Sequence, residues 1–360
     1  MTRYNYQKDC HLALSTGDDT GGGSGLTAWR NGDAEFIAGE LIPSDKLLGW
    51  NNTPPVYNTV EVGAMSSSLV SHRYSTKRKE GLWKSKHEYQ TVQFLFWLMQ
   101  TSGTPTNEGT PAGYNTTTLT IGSSNTPHWH GLNFEREGIS SNELRYAMMG
   151  LLPSDLTINC GNSKENFAAT QEITLPYSFL KTGVTEIAPQ TPRASVIGSE
   201  RKTWKHLIAG NGAGKDPSGL KYNLNNLEVD ILDVSLRFHR DYLFGTPDTN
   251  YYPINGYMLG WNYEFVLELA PIGDLFYTVN KTAKEDYAGD LDFIFSFIAD
   301  ATNDKHTFTY DKMYMVPIDE VNDWNKYTES YTVTFKPLDT TSSFQCVGIG
   351  NLDNNHFENP

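Results

Sequence analysis

Cysteine is scarce in this 360-residue chain. Cys10, Cys160 and Cys346 are odd in number and far apart, which excludes a disulfide framework and a clustered thiolate metal site and leaves buried free thiols as the expectation. Long apolar runs are missing as well. The longest, Phe94-Leu-Phe-Trp-Leu-Met99, falls far short of the roughly 20 residues that a membrane-crossing helix needs, so no membrane partner is expected. The stretch from Met1 to Cys10 lacks the apolar core of a secretory signal, and the expectation is a protein made and kept in the cytosol, from which a host-cell product leaves by lysis. Cations are in deficit: 28 Lys and Arg stand against 42 Asp and Glu, a formal charge of −14. Tight nucleic-acid binding needs a phosphate-neutralising excess of cations, so that class is excluded.

Catalytic patterns are equally sparse. No Gly-x-Ser-x-Gly surrounds any serine and no His-Glu-x-x-His pair is present, which removes support for a nucleophilic hydrolase or a zinc peptidase of those types. Gly210-Asn-Gly-Ala-Gly-Lys215 resembles a phosphate loop, yet that pattern requires Gly at Ala209 and Ser or Thr at Asp216, where an aspartate repels phosphate. His128-Trp-His130 sets two imidazoles on one face of a strand, the beginning of some metal sites, but Glu135 and Glu137 lie beyond a Gly131 turn and complete no diagnostic spacing. A glycosidase needs two paired carboxylates, and nothing selects a pair among the 42 acids, although 8 Trp and 20 Tyr are material for a sugar cleft. Neither an enzyme nor a bound cofactor is expected.

What the chain does have is apolar content of 38% with 12% aromatic residues, too much for disorder, punctuated by 31 Gly and 17 Pro. Alternation of period two recurs in Thr118–Ile121, Leu156–Asn159, Glu228–Ile231, Tyr263–Leu269, Leu291–Phe297, His306–Tyr310 and Tyr331–Phe335. These stretches predict half-buried strands, and the fold class is mainly β. Short helices are expected over Thr91–Thr101, Asn142–Gly150 and Ile272–Lys284, the last with Asp274 near its start, where a carboxylate can satisfy free N–H groups.

The length suits two domains, because single cores stop growing near about 250 to 300 residues. Thr16–Gly25 and the Pro- and Gly-bearing stretch Ile187–Gly219 read as loops. The division expected is 1–186, a linker or arm over 187–221, and 222–360. Charge follows it: residues 1–227 carry 20 basic and 20 acidic groups, and 228–360 carry 8 and 22. Two basic clusters interrupt the first part. Arg73, Lys77, Arg78, Lys79, Lys84 and Lys86 face only Glu80 within residues 72–86, and a second cluster spans 193–221. The first reads as a charged loop suited to contacts between subunits or rings. Val60–Arg73 also aligns without gaps on Leu227–Arg240, with six identities in fourteen positions, which raises the expectation of a duplicated β-domain.

The order of these features resembles the tail tube (major tail) proteins of tailed bacteriophages and archaeal viruses. The features that carry the resemblance are the polar strand and Gly-rich loop of His11–Gly25, the run Val60–Tyr74 into a charged loop, and the strand with short apolar helix that ends at Thr101-Ser-Gly103. The pair Leu156–Gly161 and Phe167–Leu175 follows, and a second strand-and-helix set begins at Leu227. The resemblance implies tube-type β-sandwich domains whose inner sheets join those of neighbouring copies into a barrel around a channel for double-stranded DNA. It also implies stacked hexameric rings, or trimeric pseudo-hexameric rings for a two-domain chain, in a virion tail assembled in the host cytoplasm. Tape measure, tail terminator and baseplate proteins would be the other partners. Another tail component, such as a hub or distal tail protein, and a glycan-binding β-sandwich adhesin are the alternatives on the same residues.

Overall fold

The computed structural model describes residues 10–15, 41–43, 46–52, 57–61, 71–75, 81–89, 95, 98–99, 106–107, 115–120, 130–136, 144–151, 153–161, 169–182, 206–209, 223–224, 227–245, 256–286, 290–300, 304–319 and 330–350. The first half contributes β1 (Cys10–Ser15), β2 (Leu41–Pro43), β3 (Lys46–Asn52), β4 (Tyr57–Glu61), β5 (Ser71–Ser75), β6 (Gly81–Glu88), β7 (Thr106–Asn107) and β8 (Asn115–Thr120). It continues with β9 (His130–Arg136), β10 (Leu144–Leu151), β11 (Asp155–Gly161) and β12 (Thr170–Thr182). The second half adds β13 (His206–Ala209), β14 (Asn223–Leu224), β15 (Val229–Phe244) and β16 (Gly256–Pro271), then the helix α1 (Leu275–Asp286). Four strands complete the chain: β17 (Leu291–Asp300), β18 (Asp304–Met315), β19 (Tyr331–Pro337) and β20 (Ser343–Gly350). The fold is mainly β, every strand pairing among the described residues is antiparallel, and the described residues of all seven alternating stretches lie on strands apart from Glu228, which precedes β15.

The pairings form two leaves. In one, the order is β3, β6, β12, β11, β15, β16, β19. In the other it is β13, β17, β18, β20, β8, β7. β19 joins them, pairing with β16 up to Phe335 and with β18 from that residue onward. The far half of β12 leads to β10, β9, β1 and β2.

Alternation explains why these leaves face each other. Along β15, Val234, Leu236 and Phe238 are buried while Arg237 and His239 are exposed, so every second side chain turns to the core. Phe265 from β16 meets Phe293 and Phe295 of β17 and Tyr310 of β18 at centroid distances of 4.8, 5.0 and 4.9 Å, across the gap between leaves. Phe238 and Tyr263 reach Phe344 of β20 at 5.1 and 5.6 Å. Offset and edge-on ring pairs of this kind add to the burial of large apolar area.

α1 closes one end of the core with Phe276, Asn280 and Ala283, spaced four and three residues apart on one face. Asn280 uses both amide atoms on Ile318: Nδ2 donates to the carbonyl at 3.1 Å, and Oδ1 accepts from the N–H at 3.0 Å. The carboxylate that meets the helix start is Glu228, whose Oε2 accepts from Leu275 N at 3.2 Å, and not Asp274. Glu228 holds a left-handed φ of 50° and approaches Gly273 so closely that a Cβ there would overlap its carboxylate.

Three expectations change. Asn142–Gly150 is no helix: β10 runs over most of it, held between β9 and β12, and a bulge at Gly150, φ 62°, follows Met149. His206–Ala209, inside the stretch read as a linker, pairs with β17, so part of that stretch is built into the sheet. The aligned segments also take different forms. Val60 and Glu61 end β4 and pair back onto His72 and Ser71 of β5 as a hairpin, whereas Val229–Arg240 is one continuous run of β15. That contrast gives duplication no support. Pairing of β11 with β15 further joins the two halves through one sheet. Residues 16–25 and 210–219 lie outside the described residues.

Candidate functional site

The outward side of the β6–β19 leaf is a polar face built by several strands. Between its inward Trp83, Ile173, Leu156, Leu236, Phe265 and Val333, it turns Lys84 and Lys86, Glu172, Asp155, Arg237 and His239, Glu264 and Lys336 outward. Cross-strand register converts this alternation into ion pairs. Lys86 stands opposite Glu172 in the β6–β12 ladder, with Nζ to Oε1 at 2.7 Å. Arg237 stands opposite Glu264, with Nη1 to Oε1 at 3.3 Å, and Lys336 approaches the other carboxylate oxygen at 3.6 Å. One carboxylate thus serves two cations from two neighbouring strands. The groups are partly exposed, and water and salt screen such pairs, so their effect is on charge balance more than on stability.

Asp155 and His239 are also register partners, joining β11 to β15. Nδ1 of His239 lies 2.7 Å from Asp155 Oδ1, and Nε2 lies 3.0 Å from Asp241 Oδ1. Ser154 Oγ donates to the second oxygen of Asp155 at 2.7 Å. A hydrolytic triad would need the serine on the imidazole rather than on the carboxylate, so this order does not activate a nucleophile.

Next to this cluster the hairpin of β15 and β16 outruns its neighbours. β11 accompanies β15 up to His239, and β19 accompanies β16 only over Phe265–Leu269. Beyond those points Tyr242, Leu243 and Phe244 pair with Met258, Tyr257 and Gly256, an arm that is two-stranded among the described residues. A bulge at its root sets two residues of β16, Leu259 and Gly260, against the single Asp241 of β15. Leu243 and Leu259 on the arm are 53% and 55% exposed. Arg240 anchors the root from the core side: it is buried, and Nη1 donates to the carbonyls of Leu98 and Met99 at 2.8 and 3.1 Å. Desolvation lowers its pKa.

The outward side of the second leaf carries a different arrangement. Asp292 and Asp311 meet at a β17–β18 bulge where Lys312 takes a φ of 55° and donates its N–H to Asp292 Oδ1 at 3.1 Å. The hydrogen bond between the two carboxyls, then partial desolvation, then the Asp292 charge raise the Asp311 pKa.

The structure redistributes the basic cluster read as one loop. Arg73 lies on β5, Lys84 and Lys86 lie on β6, and Lys77, Arg78 and Lys79 fall outside the described residues. Lys84 is exposed and Lys86 is engaged by Glu172, so these two belong to a sheet face and not to a loop. His130 and Glu135 lie on β9, while His128 is outside the described residues. Cys160 and Cys346 are buried thiols outside any disulfide, and desolvation pushes the Cys160 thiol up to about 12 and the Cys346 thiol higher, which disfavours the nucleophilic thiolate. The acid–histidine cluster went unread in the sequence because Asp155 and His239 are 84 residues apart and only register joins them. The alternation Ser235, Arg237, His239, Asp241 against Leu236 and Phe238 was the available signal. No protein-family model matches the sequence, and no curated protein matches it.

Proposed function

We propose that this chain is a structural subunit that assembles with copies of itself into stacked rings, forming a viral tail tube through which double-stranded DNA passes. The observation that supports it most is the β15–β16 arm. Among the described strands, residues 256–264 of β16 have a neighbour on one side only, so a long strand edge with an exposed Leu259 is left open to a further strand. Soluble proteins usually blunt or cover such edges, because an open one pairs with another chain. Assembly with a second copy covers this one.

The polar leaf suits the wall of the channel. A conduit for DNA has to avoid fixed, unpaired cations that would hold phosphate, and on this leaf Lys86, Arg237 and Lys336 contact carboxylates, whereas the exposed Lys84 of the same face is assigned to a contact between subunits. The remaining basic residues of the early cluster, Arg73, Lys77, Arg78, Lys79 and Lys84, are the proposed contacts between subunits or rings. Tape measure, tail terminator and baseplate proteins are the further partners on this reading, in a virion tail built in the host cytoplasm.

Sedimentation velocity tests the proposal. Wild-type protein should form species far larger than the 40.4 kDa chain as concentration rises, and Leu259→Lys should reduce them while the monomer stays folded. A monomer at every concentration, with tail-initiating partners present, rejects it.

A further inference from the structure

We propose that His239 is a pH-sensitive latch which, in its doubly protonated form, ties the root of the β15–β16 arm to the body of the sheet. The geometry carries this. Both ring nitrogens of His239 face carboxylate oxygens, at 2.7 Å to Asp155 and 3.0 Å to Asp241. Ionised carboxylates only accept hydrogen bonds, and a neutral imidazole has one N–H, so both contacts are made at once only by the imidazolium. The two carboxylates belong to different parts. Asp155 opens β11 and is fixed from its other oxygen by Ser154 Oγ at 2.7 Å. Asp241 is the β15 residue that faces the two-residue bulge of β16 from which the arm departs. The imidazolium therefore bridges body and arm at the last residue of β15 that β11 accompanies.

The surroundings favour the charged form. On the strands that flank His239, the charged groups are Asp155 on β11, Asp241 and Arg237 on β15, and Glu264 on β16. Arg237 is drawn to Glu264 at 3.3 Å, and Asn262, the cross-strand neighbour of His239, is uncharged. Lys336 is likewise held on Glu264, and on β12 Glu172 is held by Lys86. Partial desolvation pulls the His239 pKa down, but the hydrogen bonds to Asp155 and Asp241 and the charges of those carboxylates outweigh it, so the pKa is raised. A raised histidine pKa contributes stability in full below its unfolded value of about 6.5, and that contribution is lost as pH rises through the folded value. Above it, the imidazole keeps one partner at most, and Asp155 and Asp241 are left as neighbouring like charges. The arm root then loosens while the rest of the leaf, whose ion pairs do not involve His239, stays as it was.

Histidine C2–H exchange and backbone amide exchange, both read by mass spectrometry on the full-length chain, test the latch at concentrations low enough to avoid assembly. In the wild type, His239 should titrate above about 6.5. Amides of 242–245 and 256–260, corrected for intrinsic exchange, should lose protection several-fold as pH rises through that midpoint. Asp241→Asn should lower the midpoint, and His239→Gln should abolish the pH dependence of the arm. A midpoint at or below the ordinary value, or an equal loss of protection with pH in His239→Gln, overturns the proposal. Because both readouts belong to the single chain, a monomer that never assembles would still show the latch, and the two proposals fail separately.

Discussion

The two leaves of the sandwich carry their outward acids in opposite ways. On the β6–β19 leaf, Glu172 and Glu264 are register partners of Lys86 and Arg237, and Asp155 is the register partner of His239, so the ladder brings unlike charges together. On the β17–β20 leaf, a bulge brings Asp292 to Asp311, and the Asp311 carboxyl is held above its ordinary range. The same physics of cross-strand proximity thus neutralises one face and concentrates negative charge on the other. The difference teaches where the excess acid of residues 228–360 goes. Part of it meets cations of the same segment, Arg237 and Lys336 on Glu264, and part is gathered at the Asp292–Asp311 bulge of the second leaf. On the proposed reading the channel wall is one on which most charges are paired.

The largest effect should come from breaking what the leaves share. Phe265→Ala removes a ring that touches Phe293, Phe295, Tyr310 and Phe335, and should cost about 3–5 kcal/mol in denaturant unfolding, independent of salt. A smaller effect, of opposite sign, is expected on the acidic leaf. The raised Asp311 pKa means that the folded chain binds a proton more tightly than the unfolded chain, so the pair is unfavourable at neutral pH and is relieved as pH falls through the folded value. Asp292→Asn should bring Asp311 back toward the usual carboxylate range in a 13C carboxyl titration and raise the melting temperature slightly at neutral pH but not at acid pH. Smallest is Glu264→Gln on the paired leaf, about 0–1 kcal/mol, shrinking further as salt is added. If that substitution proves more damaging than Phe265→Ala, the paired face is a structural core and the comparison fails.

Much of the architecture was legible in alternation. Leu291–Phe297 and His306–Tyr310 announced β17 and β18 because Phe293, Phe295, Phe308 and Tyr310 occupy every second position, which only a half-buried strand explains. Asn142–Gly150 misled because Leu144, Arg145, Ala147, Met148 and Met149 are all good helix formers, and pairing with two neighbours overrode that local preference. The second-half helix was placed almost correctly, but its cap was not. Glu228 lies 47 residues before Leu275, and no local pattern reveals a partner at that separation. The candidate site shows the same division. Arg237, His239 and Asp241 could be put on one face of a strand, yet Asp155, Glu264 and Lys336 join them only through register across β11, β16 and β19. The arm depends on where neighbouring strands stop, a property of the pairing and not of β15 or β16 themselves.

The central claim is assembly through the open strand edge, and negative-stain electron microscopy of the concentrated wild-type chain beside Leu259→Lys tests it most directly. The account predicts rings with a central channel that stack into tubes for the wild type, with few or none for the variant. Isolated particles of single-chain size for both proteins, or equally abundant tubes for both, would contradict it.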